Sequence, residues 1–417
     1  MTDADLALVL TGGGARGAYQ VGFLRYLASR YPDLKPGILT GVSAGGIIAT
    51  HLASHEGTFA SAVSDLTTLW RDLRIPDVFR VDPLELTSRV GRWGLRLVGG
   101  GLPGSPRARS LVDTTPLRAL LMRSLNATPD GDIPAIARRL EAGALNAVSL
   151  TASSYSTGQS VTWVQNVEGC GALTFEQPQR KSVSGSLRVD HVLASSVLPF
   201  FFPAVEIDGA WYGDGGIRLT TPLSPAIHLG ARRIIAVSTR YPRSRREADR
   251  PATRGYPPPA QVAGVLLNAI FLDLLDSDAL QLERLNGLID RLSPAARGSL
   301  RHVDLLVLRP SQDLGRLANE YEVDLPRGFR FLVRGLGSRE TRSNDMLSLL
   351  MFQREYLARL IELGEADARA RAAEIDAFLQ GNSHAPREIF PANRRIPCTA
   401  PRDPVRQPAI DAAGGGT

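Results

Sequence analysis

Ser43 is the residue of this chain best placed to do chemistry: it is the centre of Gly41-Val42-Ser43-Ala44-Gly45, a G-x-S-x-G pentapeptide. An apolar run precedes it and a helix-compatible run, 46–54, follows it. Strand, forced turn and helix are what a nucleophile elbow requires, because a serine at the tip of such a turn stands clear of its own backbone. The turn strains the serine, and side chains at the flanking glycines would collide beside it. Taken alone, the pentapeptide also fits an ordinary solvated turn.

A second candidate precedes it. Thr11-Gly12-Gly13-Gly14-Ala15-Arg16-Gly17 follows the apolar run 6–10 and opens a helix with Ala18, Val21, Leu24 and Leu27 at helical spacing. The first amides of a helix are unpaired and its dipole is positive there, so the loop suits a negatively charged oxygen. Gly12, Gly14 and Gly17 satisfy the G-x-G-x-x-G of dinucleotide sites, but the second strand ends in Ser43 where that motif wants an acidic residue. A phosphate-gripping P-loop would need Gly-Lys-Ser/Thr, which is absent. An oxyanion hole for acyl chemistry is the third reading, favoured by a donor loop and a nucleophile on neighbouring strands.

A serine hydroxyl needs a proton acceptor. His51 and His55 lie eight and twelve residues along the helix from Ser43, ~12 Å or more away at 1.5 Å per residue, and cannot reach back. Of the others, His191, His228, His302 and His384, only His228 and His302 follow Asp214 within the folded part, the order an α/β-hydrolase triad requires. Asp214-Gly215-Gly216 puts a carboxylate on a glycine-supported loop, which by itself is merely a turn.

The elements that must position these groups alternate along the chain. Strand patterns at 6–10, 146–151, 161–164, 234–238 and 303–308, with a turn at Asp208-Gly209, are interleaved with helical patterns at 58–73, 117–124, 133–142 (Asp132 as its cap) and 222–229. This is the signature of an α/β domain. Residues 190–205 read as a small-residue helix ended by Pro199, with Phe200, Phe201 and Phe202 after it as core or as an acyl-chain wall. Arg89, Arg92 and Arg96 beside Val90, Trp93 and Leu97 read as a lid or loop with solvated arginines, or else as a membrane-surface stripe.

The expected organisation is a catalytic core over 1–240, an Arg/Pro-rich loop at 241–259, and a largely helical extension with one further strand over 260–380. A disordered tail follows at 381–417. Within the extension, a helix is expected over 343–363, stopped by Gly364, and another over 366–379.

The chain has 417 residues, 43% of them hydrophobic, enough for a sizeable core. Cys170 and Cys398 are too far apart in sequence to suggest a disulfide framework or metal spacing, so a reducing compartment is expected and no metal. No secretory signal is legible at the N-terminus and no run approaches the ~20 apolar residues of a bilayer span. The expectation is a cytoplasmic protein whose membrane contact is peripheral. The net charge of +6 favours anionic partners such as lipid headgroups, and nucleic acid is not expected, since no aromatic-basic module is present.

Gly12 to Gly17, the elbow at Gly41 to Gly45, and Asp214-Gly215-Gly216 together resemble the three signatures of the patatin-like phospholipase family, in that order and with similar separations. The resemblance covers about 6–238, extends more weakly through 194–203, and reaches a helix at 343–368 similar to that of bacterial members. It implies a three-layer α/β/α fold with a central, mostly parallel sheet and extra C-terminal helices. It also implies a lipid acyl hydrolase of the phospholipase A or lysophospholipase type, with Ser43 as nucleophile, Asp214 as base, and an oxyanion hole from Gly13 and Gly14 with help from Arg16. No cofactor is implied. Two alternatives stay open: a carboxylesterase or thioesterase using a Ser-His-Asp triad, for example with His302, and a non-catalytic lipid- or nucleotide-binding protein.

Overall fold

The structure is a computed structural model, and it describes residues 3–80, 112–167, 176–199, 201–249, 256–257, 261–262, 264–266, 274–322 and 344–381. The arginine stripe at 89–96, Phe200, both cysteines, His384 and the tail from 382 lie outside the described residues.

Ten strands form one sheet: β1 (Asp3–Leu10), β2 (Pro36–Val42), β3 (Ala147–Ser154), β4 (Ser160–Asn166), β5 (Glu176–Gln177), β6 (Arg180–Ser184), β7 (Val205–Ile207), β8 (Ala210–Asp214), β9 (Arg233–Val237) and β10 (Asp304–Leu308). The order is β10-β9-β1-β2-β3-β4-β6-β5, and β10 through β3 run parallel. The described helices used below are α1 (Gly17–Arg30), α2 (Ala44–Ser54), α3 (Phe59–Asp72), α4 (Thr115–Ser124), α5 (Pro134–Glu141), α6 (Val189–Ser196), α7 (Ser224–His228), α8 (Leu274–Ile289), α9 (Asp345–Leu350), α10 (Arg354–Ala370) and α11 (Ala372–Leu379).

Alternation along β1 builds the layers. Leu6, Leu8 and Leu10 point into a core with α1, α2, α3 and α10, while Ala7 and Val9 point into a second core closed by Leu223 and Ala226 beside α7 and by Leu275, Ala279 and Leu282 of α8. With helices on both faces, β2 and β3 are buried at every residue, even though β3 carries Ser149, Thr151 and Ser153 at alternate positions. This is the three-layer α/β/α arrangement with a mostly parallel sheet that the sequence implies.

Three local expectations are corrected. Gly364 does not stop a helix: it lies inside α10, where a Cβ would come within 2.1 Å of the Tyr19 carbonyl oxygen, as one on Gly22 would come within 2.0 Å of that of Ile361. The two glycines let α1 and α10 approach backbone to backbone. The expected 343–363 helix breaks instead at Met351-Phe352-Gln353, between α9 and α10, and the next break falls at Arg371. Asp132 does not cap α5, whose N-cap is Ile133 with no side-chain cap; it bridges to Arg188 instead. Thr58, by contrast, caps α3 by accepting from the Ser61 amide at 3.1 Å.

Candidate active site

Parallel strands put their following loops at one edge, so the loop after β1 and the turn after β2 meet at the C-terminal edge of the sheet. Ser43 has φ 55° and ψ −130°, a conformation that L-residues rarely adopt. A Cβ on Gly41 would lie 2.4 Å from the Gly45 carbonyl oxygen, and one on Gly45 would lie 2.1 Å from that of Leu10, so the elbow closes only with glycine at both places.

Register explains how a residue 171 positions later reaches it. On one side β3 is paired with β4 as far as Ser153; on the other, β2 pairs with β3 only up to Val42 opposite Thr151. The edge that β2 vacates is taken by β8, running antiparallel, with Asp214 opposite Ala152. The residue after Val42 and the last residue of β8 therefore face one another along a single edge of β3.

Asp214 is completely buried. Its Oδ1 accepts the Gly216 amide at 2.9 Å, and Oδ2 has no partner at hydrogen-bonding geometry among the described residues. Burial pushes this carboxyl up to about 7, against the opposing pull of the neighbouring Ser43 hydroxyl and the Gly216 amide. Gly215 is required by contact, since a Cβ would fall 2.0 Å from the Thr151 carbonyl oxygen.

The glycine loop lies against the elbow. A Cβ on Gly12 would stand 3.1 Å from that of Ser43, and the Gly12 carbonyl is held by the Thr239 hydroxyl at 2.8 Å. Gly13 has φ 152° and Gly14 φ 53°, and neither amide has an acceptor among the described residues. Gly17 makes room for the Trp70 ring at the start of α1. Arg16 is buried, its Nε donating to Ser348 Oγ at 2.7 Å and its Nη2 to Asp345 Oδ1 at 2.6 Å.

Ser43, Ala44 and Gly14 open on a cavity of about 610 Å³ including its mouth, walled by Trp70, Leu117, Leu121, Phe202, Leu349 and Phe352 among other apolar side chains. Its apolar lining suits an apolar group.

Two residues escaped the sequence reading. Ser195 Oγ accepts the Ser43 amide at 3.0 Å and donates to the Thr151 carbonyl at 2.7 Å, and Ser153 Oγ donates to the Asp214 carbonyl at 2.9 Å. Both halves of the site are thus pinned to β3 by buried hydroxyls. Polar residues on a fully buried strand and a small-residue helix were the available signals.

No described histidine serves as the partner of Ser43. His51 meets the Ala62 carbonyl and His55 meets Asp65. His191 accepts the Arg188 amide and stacks on Trp163. His228 and His302 precede β9 and β10, at the opposite edge of the sheet, where His302 meets Asp290. The triad with His302 is therefore not formed.

Fold and site define a parallel-sheet α/β protein with a serine elbow beside a glycine loop. The patatin-like phospholipase family model matches residues 8–227, more than half of the chain, and the chain belongs to that family. No curated protein matches it. Among solved structures it is similar to VipD from Legionella pneumophila, with 13% identity, 89% of this chain and 67% of that one covered, and a TM-score of 0.37. It is also similar to human GIVD cytosolic phospholipase A2 in complex with methyl gamma-linolenyl fluorophosphonate, with 14% identity, 91% and 60% covered, and a TM-score of 0.41. For the type III effector protein ExoU the figures are 16%, 89% and 53%, and 0.33. The chain spans between about half and two thirds of the length of these proteins. Among the described residues no helix is long and apolar enough to cross a membrane.

Proposed function

We propose that this chain hydrolyses carboxylic esters of phospholipids or lysophospholipids through a Ser43–Asp214 dyad. The observation that carries this reading is a wholly buried carboxylate, raised to about 7 and with one oxygen unpartnered, beside a serine on a strained turn. An exposed aspartate near 3.9 would be too weak a base, whereas one near 7 holds a proton and releases it at neutral pH.

Ser43 Oγ attacks the ester carbonyl carbon as its proton passes to Asp214 Oδ2. The oxygen that becomes negative is stabilised by the Gly13 and Gly14 amides, which have no acceptor within the described protein. Collapse expels the lysophospholipid or glycerophosphodiester alkoxide, which takes the proton back from Asp214, and leaves the acyl chain on Ser43 facing the apolar cavity. A water molecule then attacks the acyl-enzyme as Asp214 accepts its proton, and that proton passes to Ser43 Oγ as the Oγ–acyl bond breaks and the fatty acid departs. Arg16 supports the loop through its bonds to Asp345 and Ser348 of α9. The net charge of +6 would favour peripheral contact with anionic bilayers, screened as salt rises.

The test is hydrolysis of phospholipid and short-chain esters, with fluorophosphonate labelling, by the wild type, Ser43→Ala and Asp214→Asn. The expected result is labelling confined to Ser43 and turnover lost in both variants. Full turnover in Asp214→Asn would overturn the dyad.

A further inference from the structure

The family match ends at residue 227, yet the site does not. The segment at 344–353, more than a hundred residues further on, supplies part of its wall. Leu349 and Phe352 line the cavity onto which Ser43 opens, and both are buried. A Cβ on Gly14 would lie 2.2 Å from the Leu349 carbonyl oxygen, so the segment also rests on the glycine loop. Phe352 packs edge-on against Phe79 at 6.5 Å between ring centroids, and Phe79 packs on Phe202 at 5.6 Å, which ties the segment to the rest of the apolar wall.

The segment is fastened as a unit. Asn344 caps α9 by accepting the Leu347 amide at 3.0 Å, Ser348 donates to the Asp345 carbonyl at 2.7 Å, and the buried Arg16 guanidinium reaches both Asp345 and Ser348. Arg243 also approaches Asp345, at 3.9 Å. Beyond it, α10 is seated on α1 through the paired glycines and by Tyr19, whose hydroxyl donates to Asp367 at 3.1 Å. A charge-assisted bond made by a buried arginine fixes geometry more firmly than a surface pair, because neither partner is free to exchange for water.

We propose that residues 344–353 are an acyl-selecting wall, in which Leu349 and Phe352 set the chain length the site accepts and the Arg16–Asp345–Ser348 clamp holds them in place. The inference rests on the acyl-hydrolase reading above. Selection arises because a close-packed wall admits a chain only as long as the space it leaves, and a methylene gained or lost in such a pocket is worth roughly 10- to 200-fold. Arg16 is on this account a positioning residue, and its contribution is read in substrate choice.

The experiment compares kcat/KM for palmitoyl and butyryl esters of the same alcohol in the full chain. Phe352→Ala is expected to raise the palmitoyl-to-butyryl ratio by about tenfold or more, and Phe352→Trp to lower it. Asp345→Asn, by loosening the clamp, shifts the ratio in the same direction as Phe352→Ala. Phe352→Leu stands in should Phe352→Ala fail to fold. An unchanged ratio in every variant that keeps the wild-type melting temperature would overturn the proposal. A parallel arm needs no turnover: displacement of a fluorescent fatty acid by saturated fatty acids of increasing length, in a Ser43→Ala background with and without Phe352→Ala. If the wild type hydrolyses no ester, the acyl-hydrolase reading falls, while a shift in the length optimum for displacement still supports the wall. No displacement, or an optimum that does not move, sinks it.

Discussion

At Ser43 the chain reverses within five residues and the backbone bears the cost, with φ 55° and ψ −130° at the serine itself. At Asp214 φ is negative, −46° with ψ 129°, and the cost is desolvation of a carboxylate that has 0% exposure. Local strain of this kind costs about 1–3 kcal/mol, and a pKa raised from the ordinary aspartate range to about 7 corresponds to roughly 4 kcal/mol at alkaline pH. One half of the site is therefore made by contiguous sequence and the other by an environment. Each fails differently when disturbed.

The sharpest test of that contrast removes each reacting group in turn. On the proposed dyad, Ser43→Ala and Asp214→Asn are both expected to lower kcat by about 10³-fold or more, since a nucleophile and its base act as a unit. A steady-state assay on a lipid ester checks this, and a tenfold loss or less in Asp214→Asn would mean that another base operates.

Next in size are the glycines on the two sides. Gly45→Ala places a methyl 2.1 Å from a backbone oxygen of β1, and Gly215→Ala places one 2.0 Å from a backbone oxygen of β3. Both should lose about 1–3 kcal/mol of stability or more, as overpacking against rigid backbone does. Chemical denaturation measures it, and wild-type midpoints would refute the close approaches.

The environment of Asp214 makes a signed prediction about pH. Its folded pKa is raised, so between its unfolded value and about 7 the native state holds a proton that the unfolded state has released, and stability from this group falls as pH rises through that window. Asp214→Asn, which cannot ionise, should gain on the wild type by up to roughly 4 kcal/mol at pH 8, with the difference fading towards pH 5. Denaturation curves at the two pH values decide it; a constant difference would mean that burial does not govern the carboxyl. The same titration predicts that kcat/KM of the wild type rises with pH to a plateau, with a midpoint near 7.

The smallest effect belongs to the brace between the halves. Ser195→Ala leaves the buried Ser43 amide without its acceptor and the Thr151 carbonyl without a donor. A loss of about 1–3 kcal/mol is expected, with a fall in kcat larger than any change in KM. Ser195→Thr should recover part of the kcat, a rescue that a packing role alone would not give.

Several of these features are legible in the chain, and their legibility follows their range. The G-x-S-x-G turn and the glycine loop are local, so five or six consecutive residues announce them. Asp214-Gly215-Gly216 is local too, but its meaning is not: without the family resemblance it reads as a turn, because the pairing of β8 with β3 cannot be seen in five residues. Gly364 reads as a helix stop because a glycine's two uses, ending a helix and admitting a neighbour's backbone, leave the same letter. Asp132 reads as a cap for a similar reason, its partner Arg188 being on another segment. The family resemblance makes Arg16 an oxyanion aid, while its contacts with Asp345 and Ser348 are made far along the chain and cannot be read locally.

What the sequence by itself determined is the inventory and the alternation: apolar runs at strand length, amphipathic helices, two glycine-bounded turns and a serine forced to the tip of one of them. Such features depend on sterics and solvent within a few residues, which the order of side chains dictates. What only the tertiary structure decided is that a carboxylate lands in dry space beside that serine, and that a helix from beyond the family domain walls the cavity. Burial and register are sums over contacts between segments far apart in the chain, and no local stretch contains them.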